Sequence, residues 1–182
     1  KSASYEQSIS PATLETNSVY IYIPDEKLKI YGDLLRIITA QSMEYFSSRP
    51  PENKQTILFC LDEFASFGKL QIVESLRKLR KRRIRILVLT QSVSDVDMIY
   101  GKDERKAMLG NFKFTVILGC KDTETQEYFS KMIGEKRSLL ATDPYQKPHP
   151  IIKPADLAHL EQDLFVICDD GAIRLKKNFY FK

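Results

Sequence analysis

Two apolar runs, each closing on polar residues and separated by a helical pattern, restrict what this chain can fold into more than any other feature. The first, Thr56-Ile57-Leu58-Phe59-Cys60-Leu61, runs straight into Asp62-Glu63, and the second extends from Ile84 to Thr90 and ends at Gln91-Ser92. Such runs, without polar alternation, predict strands buried on both faces, as in a parallel sheet covered by helices. Between them, from about Lys69 to Lys81, Val73, Leu76 and Leu79 recur at helical spacing.

The rest of the chain continues this alternation. Ser18 to Ile23 reads as a strand stopped by Pro24, and a helix from about Ile30 to Phe46 should bury Tyr31, Leu34, Leu35, Ile38, Tyr45 and Phe46. A charged helical stretch from Ser94 to Leu109 leads to a strand at Phe112 to Leu118. Thr123-x-x-Gln126 has capping-box spacing and predicts a helix that buries Tyr128, Phe129, Met132 and Ile133 and stops at Gly134. Pro144, Pro148, Pro150 and Pro154 make residues 138–154 an expected irregular loop. Leu164 to Cys168, a turn at Asp169-Asp170-Gly171 and the run from Ala172 to Phe181 predict a closing hairpin. The expected architecture is a mostly parallel α/β sheet flanked by helices with a C-terminal β-hairpin.

Composition excludes several classes. No apolar run approaches the roughly 20 residues of a spanning helix and the first residues hold no signal core, so the chain reads as soluble. At 182 residues it can bury about 70% of its unfolded surface without a staple. A net charge of +4 confines any basic surface to a local patch. Cys60, Cys120 and Cys168, widely spaced, read as reduced core thiols, and no zinc-ligand spacing is present.

Apolar residues followed by Asp62-Glu63 have the form of a Walker B strand, where the first carboxylate holds Mg²⁺ beside nucleotide phosphates and the second polarises the attacking water. An acidic pair is also an ordinary way to end a buried strand. Gln91 ends the next strand, where RecA-like ATPases place a phosphate-sensing polar residue; its bland reading is a glutamine bonded to a turn. Seven of the nine residues Arg77-Lys78-Leu79-Arg80-Lys81-Arg82-Arg83-Ile84-Arg85 are basic and are expected beside the candidate catalytic edge. They can complement a helix C-terminus, line a solvated face, reach a neighbouring subunit's phosphates or contact a nucleic-acid backbone. None of the seven glycines completes a Gly-x-x-x-x-Gly-Lys-Ser/Thr cradle, so the chain by itself should bind ATP weakly or not at all.

Asp62-Glu63-Phe64-Ala65-Ser66-Phe67-Gly68-Lys69-Leu70 resembles the type IV coupling proteins of the TraG/TraD type. The likeness continues through Leu87-Val88-Leu89-Thr90-Gln91-Ser92, Ile99-Tyr100-Gly101-Lys102, Leu109-Gly110-Asn111 and Gly119-Cys120-Lys121-Asp122-Thr123-Glu124-Thr125. The resemblance covers roughly the whole chain, 1–182, and implies the C-terminal part of a RecA-like, P-loop NTPase type domain without its Walker A strand. It implies ATP and Mg²⁺ as cofactors of the complete protein, with Asp62 for the metal, Glu63 as water-activating base and Gln91 as phosphate sensor. Arg80 matches the arginine finger, but Leu79 and Arg83 replace its usual flanking glycines, so Arg77 and Arg82 stay open.

The function implied is a part of a hexameric ATPase that delivers DNA–relaxase complexes or effector proteins into a type IV secretion channel, as in conjugative DNA transfer. Its implied place is the cytoplasmic side of the bacterial inner membrane, reached through an N-terminal anchor. Neighbouring subunits and channel components are the further partners implied. Arg77, Lys78, Lys81, Arg82 and Arg83 are the candidate nucleic-acid contacts. The alternative is a non-catalytic interaction domain that docks relaxase, channel components or substrate protein.

Overall fold

The computed structural model describes residues 10–53, 55–136 and 148–180, arranged in two compact units. The first runs to Thr90 and adds Ile99–Asn111; the second holds Gln91–Met98 and the chain from Phe112 onward.

In the first unit, β1 (Ile57–Leu61) pairs in parallel with β2 (Ile84–Val88), in register from Ile57 opposite Ile84 to Leu61 opposite Val88. The helix between them, α2 (Ile72–Arg80), makes this the expected strand–helix–strand unit. Burial alternates, however. Ile57, Leu61 and Ile84 are buried, whereas Leu58, Cys60 and Leu87 are exposed on the other face. Apart from Arg85 the strands are apolar on both faces but covered on one, because an apolar run records what a face can bury and not what lies against it. Cys60 is accordingly exposed and Cys168 half-buried; only Cys120 is a buried thiol.

Helix α1 (Asp25–Ser47) packs on α2 and on a short 3-10 turn at Phe64–Phe67. Its buried stripe is Leu35, Thr39, Ser42, Met43 and Phe46, rotated from the expected one, and Tyr31, Leu34, Ile38 and Tyr45 are largely exposed. Polar residues can occupy the buried stripe because the Thr39 and Ser42 hydroxyls donate to the carbonyls of Leu35 and Ile38, each at 2.8 Å. The run Val19 to Ile23 forms no ladder with any described strand, and Tyr20 and Tyr22 are exposed. A β-rich composition does not make a strand without a partner edge. The stretch from Ser94 to Leu109 is two helices, α3 (Val93–Tyr100) and α4 (Lys102–Leu109), broken at Gly101 with φ of 78°.

The second unit is antiparallel, which overturns a mostly parallel sheet among the described residues. β3 (Thr115–Ile117), β6 (Asp163–Cys168) and β7 (Gly171–Lys176) form one sheet in the order β3-β6-β7, and the last two make the expected hairpin. Ile117 and Phe165 join Cys120, Ile133, Ile152, Leu157 and Leu160 in one core cluster beneath α5 (Thr123–Ile133). Full burial of a side chain such as Leu157 contributes about 1.5–3 kcal/mol. Of the expected irregular loop, 138–147 lies outside the described residues. The remainder is ordered by β5 (His149–Pro150), paired with β4 (Glu135–Lys136), and by a 3-10 turn from Pro154. No helix among the described residues is long and apolar enough to cross a membrane.

Candidate functional site

The acidic pair sits in a backbone clamp. Leu89, just past β2, donates its N–H to the carbonyl of Leu61 (3.0 Å) and accepts from the N–H of Phe64 (2.9 Å). Asp62 and Glu63 are the two residues between those bonds, so both are forced out of the ladder at the C-terminal end of β1, and both are exposed. Open α/β sheets bind ligands beyond this end of their strands. Glu63 takes φ 48° and ψ 51°, the left-handed conformation that costs a non-glycine residue of order 1 kcal/mol or more. Its N–H donates to Asp62 Oδ1 at 3.0 Å, and its carbonyl accepts from the N–H of Ser66 at 2.7 Å. These bonds hold a backbone that would otherwise relax.

The turn after the acids is organised by an aromatic pair that sequence reasoning passed over. Phe64 is fully buried and stacks on Tyr100, with centroids 5.3 Å apart and planes 9° apart. The Tyr100 hydroxyl donates to the carbonyl of Gly68 and accepts from the N–H of Leu70, both at 3.1 Å. Burial, first, and the nearby Glu104 charge push the Tyr100 hydroxyl above its ordinary range, against the lowering by the Leu70 N–H, which keeps it a donor. Gly32 on α1 lets the helix approach this turn, since a Cβ there would lie 3.3 Å from the Ser66 carbonyl oxygen. The Ile99-Tyr100-Gly101 motif was visible in the sequence, but its spacing carried no hint of a contact thirty residues upstream.

The basic run lies elsewhere. Arg80 to Arg83 precede Ile84 at the N-terminal end of β2, whereas Asp62 follows the C-terminal end of β1. Four residue steps of parallel strand, about 13 Å at roughly 3.3 Å each, separate the two ends. The run is therefore not beside the acidic pair of its own chain; charge density in a sequence does not tell which end of a sheet it reaches. Lys78 pairs with Glu74 (2.8 Å), and Arg77 Nε donates to Asn111 Oδ1 (3.4 Å). Arg82 is half-buried and its carbonyl accepts from Arg49, while Arg80, Lys81 and Arg83 are exposed.

Gln91 falls in the second unit, exposed, two residues before the start of α3. There Asp122, not Thr123, caps α5. Its Oδ2 accepts from the Thr125 N–H (2.9 Å), the Thr125 hydroxyl (2.5 Å) and the Ser94 hydroxyl (2.8 Å), and the Thr125 hydroxyl accepts from the Val93 N–H (3.0 Å). Hydrogen bonds from the Thr125 side chain, then its backbone, then Ser94 hold the Asp122 carboxyl below its ordinary range. The Gln126 amide donates to the carbonyls of Cys120 and Lys121, each at 3.1 Å, so it cannot complete the expected capping box. Asp-x-x-Thr is itself an N-cap spacing and was the signal available.

These features define a class first: an α/β chain that presents an acidic pair at the C-terminal end of a parallel strand and closes on an antiparallel hairpin. The chain belongs to the family described as the TraM recognition site of TraD and TraG, which matches residues 56–162, and thus to the TraG, TraD and VirD4 coupling proteins. It is 23% identical over 181 residues to protein VirD4 of Agrobacterium fabrum (strain C58 / ATCC 33970), covering 90% of this chain and 27% of that protein. It is 27% identical over 195 residues to a probable conjugal transfer protein TraG of Sinorhizobium fredii (strain NBRC 101917 / NGR234), covering 94% of this chain and 30% of the relative. The chain thus spans about three tenths of the length of these relatives. Among solved structures it matches the unbound bacterial conjugative coupling protein TrwBdeltaN70 with a TM-score of 0.73 and 24% identity, over 85% of this chain and 39% of that one. It also matches the plasmid coupling protein TrwB in complex with ADP and Mg²⁺, with a TM-score of 0.70 and 26% identity, over 83% and 39%.

Proposed function

We propose that this chain carries the hydrolytic acids of a coupling-protein ATPase, in a RecA-like domain whose phosphate cradle lies outside these residues. The observation that carries the reading is the Leu89 clamp, which holds Asp62 and Glu63 beyond the end of β1 with Glu63 in a strained backbone. The residues present suit Mg²⁺ shared with a nucleotide. Asp62 offers one exposed carboxylate, and no group of three His, Cys, Asp or Glu among the described residues could cage a metal. Mg²⁺ commonly takes one or two carboxylates and fills its remaining positions with water and phosphate oxygens. When bound, Mg-ATP supplies the phosphoryl group to be transferred and neutralises its developing charge.

In this reading Asp62 holds the metal, Glu63 orients and deprotonates the attacking water, and Gln91 senses the terminal phosphate. Arg80 serves as the finger. Its position at the opposite end of the sheet suits action on the nucleotide of a neighbouring subunit in a hexamer; its exposure favours it over the half-buried Arg82, and Arg77 is engaged by Asn111. The work done is delivery of DNA–relaxase complexes or effector proteins to a type IV secretion channel from the cytoplasmic face of the inner membrane. The experiment is ATP turnover by the longer protein carrying Glu63→Gln. Nucleotide binding should persist and turnover should fall roughly 10²- to 10⁴-fold; wild-type hydrolysis would sink the assignment.

A second reading, a module that docks partner protein, is favoured by the family's description as a TraM recognition site and by the exposed apolar residues Val116, Leu118, Ile173 and Leu175 of the second unit. Capture of a purified TraM-type protein by this chain alone, unchanged by Asp62→Ala with Glu63→Ala, would support it.

A further inference from the structure

The Asp122–Thr125 cluster does more than cap α5. It reaches across to the first turn of α3, whose leading N–H groups have no partner within their own helix. Thr125 is buried and its hydroxyl has one proton, which goes to Asp122 Oδ2 at 2.5 Å. The hydroxyl can therefore only accept from the Val93 N–H, and the direction of the chain of bonds is set. Ser94 delivers its own proton to the same carboxylate oxygen, and Ser92 Oγ accepts from the Asp95 N–H at 3.0 Å. One carboxylate thus anchors the N-terminal ends of two helices, both favoured partners of a negative charge.

We propose that Asp122 and Thr125 are positioning residues for Gln91, fixing the backbone two residues beyond it so that the turn that carries its amide is set before a phosphate arrives. This rests on the reading of Gln91 as the phosphate sensor. A preorganised polar group stabilises developing charge without reorganising, and a displacement of about 1 Å can cost roughly 10²-fold in rate. Val93 is buried, so the loss of its hydroxyl acceptor cannot be made good by bulk water.

The test is steady-state ATP turnover and nucleotide binding by the longer protein carrying Thr125→Val, Thr125→Ser, Ser94→Ala, Gln91→Ala and the double variant Gln91→Ala with Thr125→Val. Thr125→Val should lower kcat about 10- to 10²-fold with KM within twofold, and Thr125→Ser should restore most of it. In the Gln91→Ala background, Thr125→Val should add little, because both act through one group. Ser94→Ala removes a single donor from a half-buried site and should lower kcat severalfold with the melting temperature kept, which separates positioning from unfolding. Full turnover in both Thr125→Val and Ser94→Ala while Gln91→Ala is impaired would overturn the positioning role, as would additive losses in the double variant. Full turnover in Gln91→Ala would instead overturn the sensor reading itself.

Discussion

Tyr100 lies face to face with Phe64, the residue that follows the acidic pair, and its hydroxyl ties the backbone at Gly68 to that at Leu70. The ring and the hydroxyl do separable jobs. Tyr100→Phe keeps the stack but strands a buried N–H at Leu70. A loss of about 1–2 kcal/mol is expected in urea unfolding. Tyr100→Ala also removes the ring and should cost about 3–5 kcal/mol. Equal losses from the two variants would show that the ring contributes nothing.

The left-handed backbone at Glu63 predicts an opposition between stability and function. Glu63→Gly relieves the steric cost at φ 48° against the added chain entropy of glycine, so the variant should be as stable as the parent or more stable by up to about 1 kcal/mol. Turnover by the longer protein should nonetheless collapse, as for Glu63→Gln. A clear drop in stability would mean that the Glu63 side chain holds the turn.

Arg49 is buried at the junction of three segments. It makes a paired contact with Glu15 at 2.6 and 2.8 Å and donates to the carbonyls of Gln55 and Arg82. Arg49→Met should cost about 3–5 kcal/mol because it strips two carbonyls of this donor and leaves the Glu15 carboxylate without its ion pair. The Arg49 side chain, above all by hydrogen bonding, holds the Glu15 carboxyl below its ordinary value of 4.5. A depressed folded-state value contributes stability that is complete above the unfolded value and is lost as pH falls through the folded one. Unfolding midpoints should therefore decline as pH is lowered from about 5, and Glu15→Gln should flatten that part of the profile.

For the exposed turn at Lys81 and Arg83, binding to single- and double-stranded DNA should weaken steeply with salt. Replacing both by Ala should reduce the slope of log affinity against log salt by roughly 1.4–1.8. An unchanged slope would remove this turn from any DNA path.

How far the sequence was legible depends on whether a feature was local. The strand–helix–strand unit could be read from Ile57 to Val88 because apolar runs and helical spacing are short-range signals. The hairpin at Asp169-Asp170-Gly171 was equally plain. Side-chain partners were not: the cap of α5 was read one residue late, since Asp122 and Thr123 both suit an N-cap and only the bonds from Ser94 and Thr125 choose between them. The buried stripe of α1 was placed correctly at Leu35 and Phe46 but missed between them for a related reason. Thr39 and Ser42 look polar in the sequence, but their hydroxyls bond within the helix and go inside.

By itself, then, the sequence determined the strand–helix–strand unit from Ile57 to Val88, the closing hairpin, the apolar strand that ends in Asp62-Glu63, the absence of a phosphate cradle and the resemblance to coupling proteins. Only the tertiary structure decided that Leu89 clamps the acids, that Tyr100 braces the turn behind them, and that Arg80 stands at the far end of the sheet. The physical reason is common to all three. Each depends on the register of a parallel pair or on a contact between residues about thirty positions apart, and neither leaves a periodic trace along the chain.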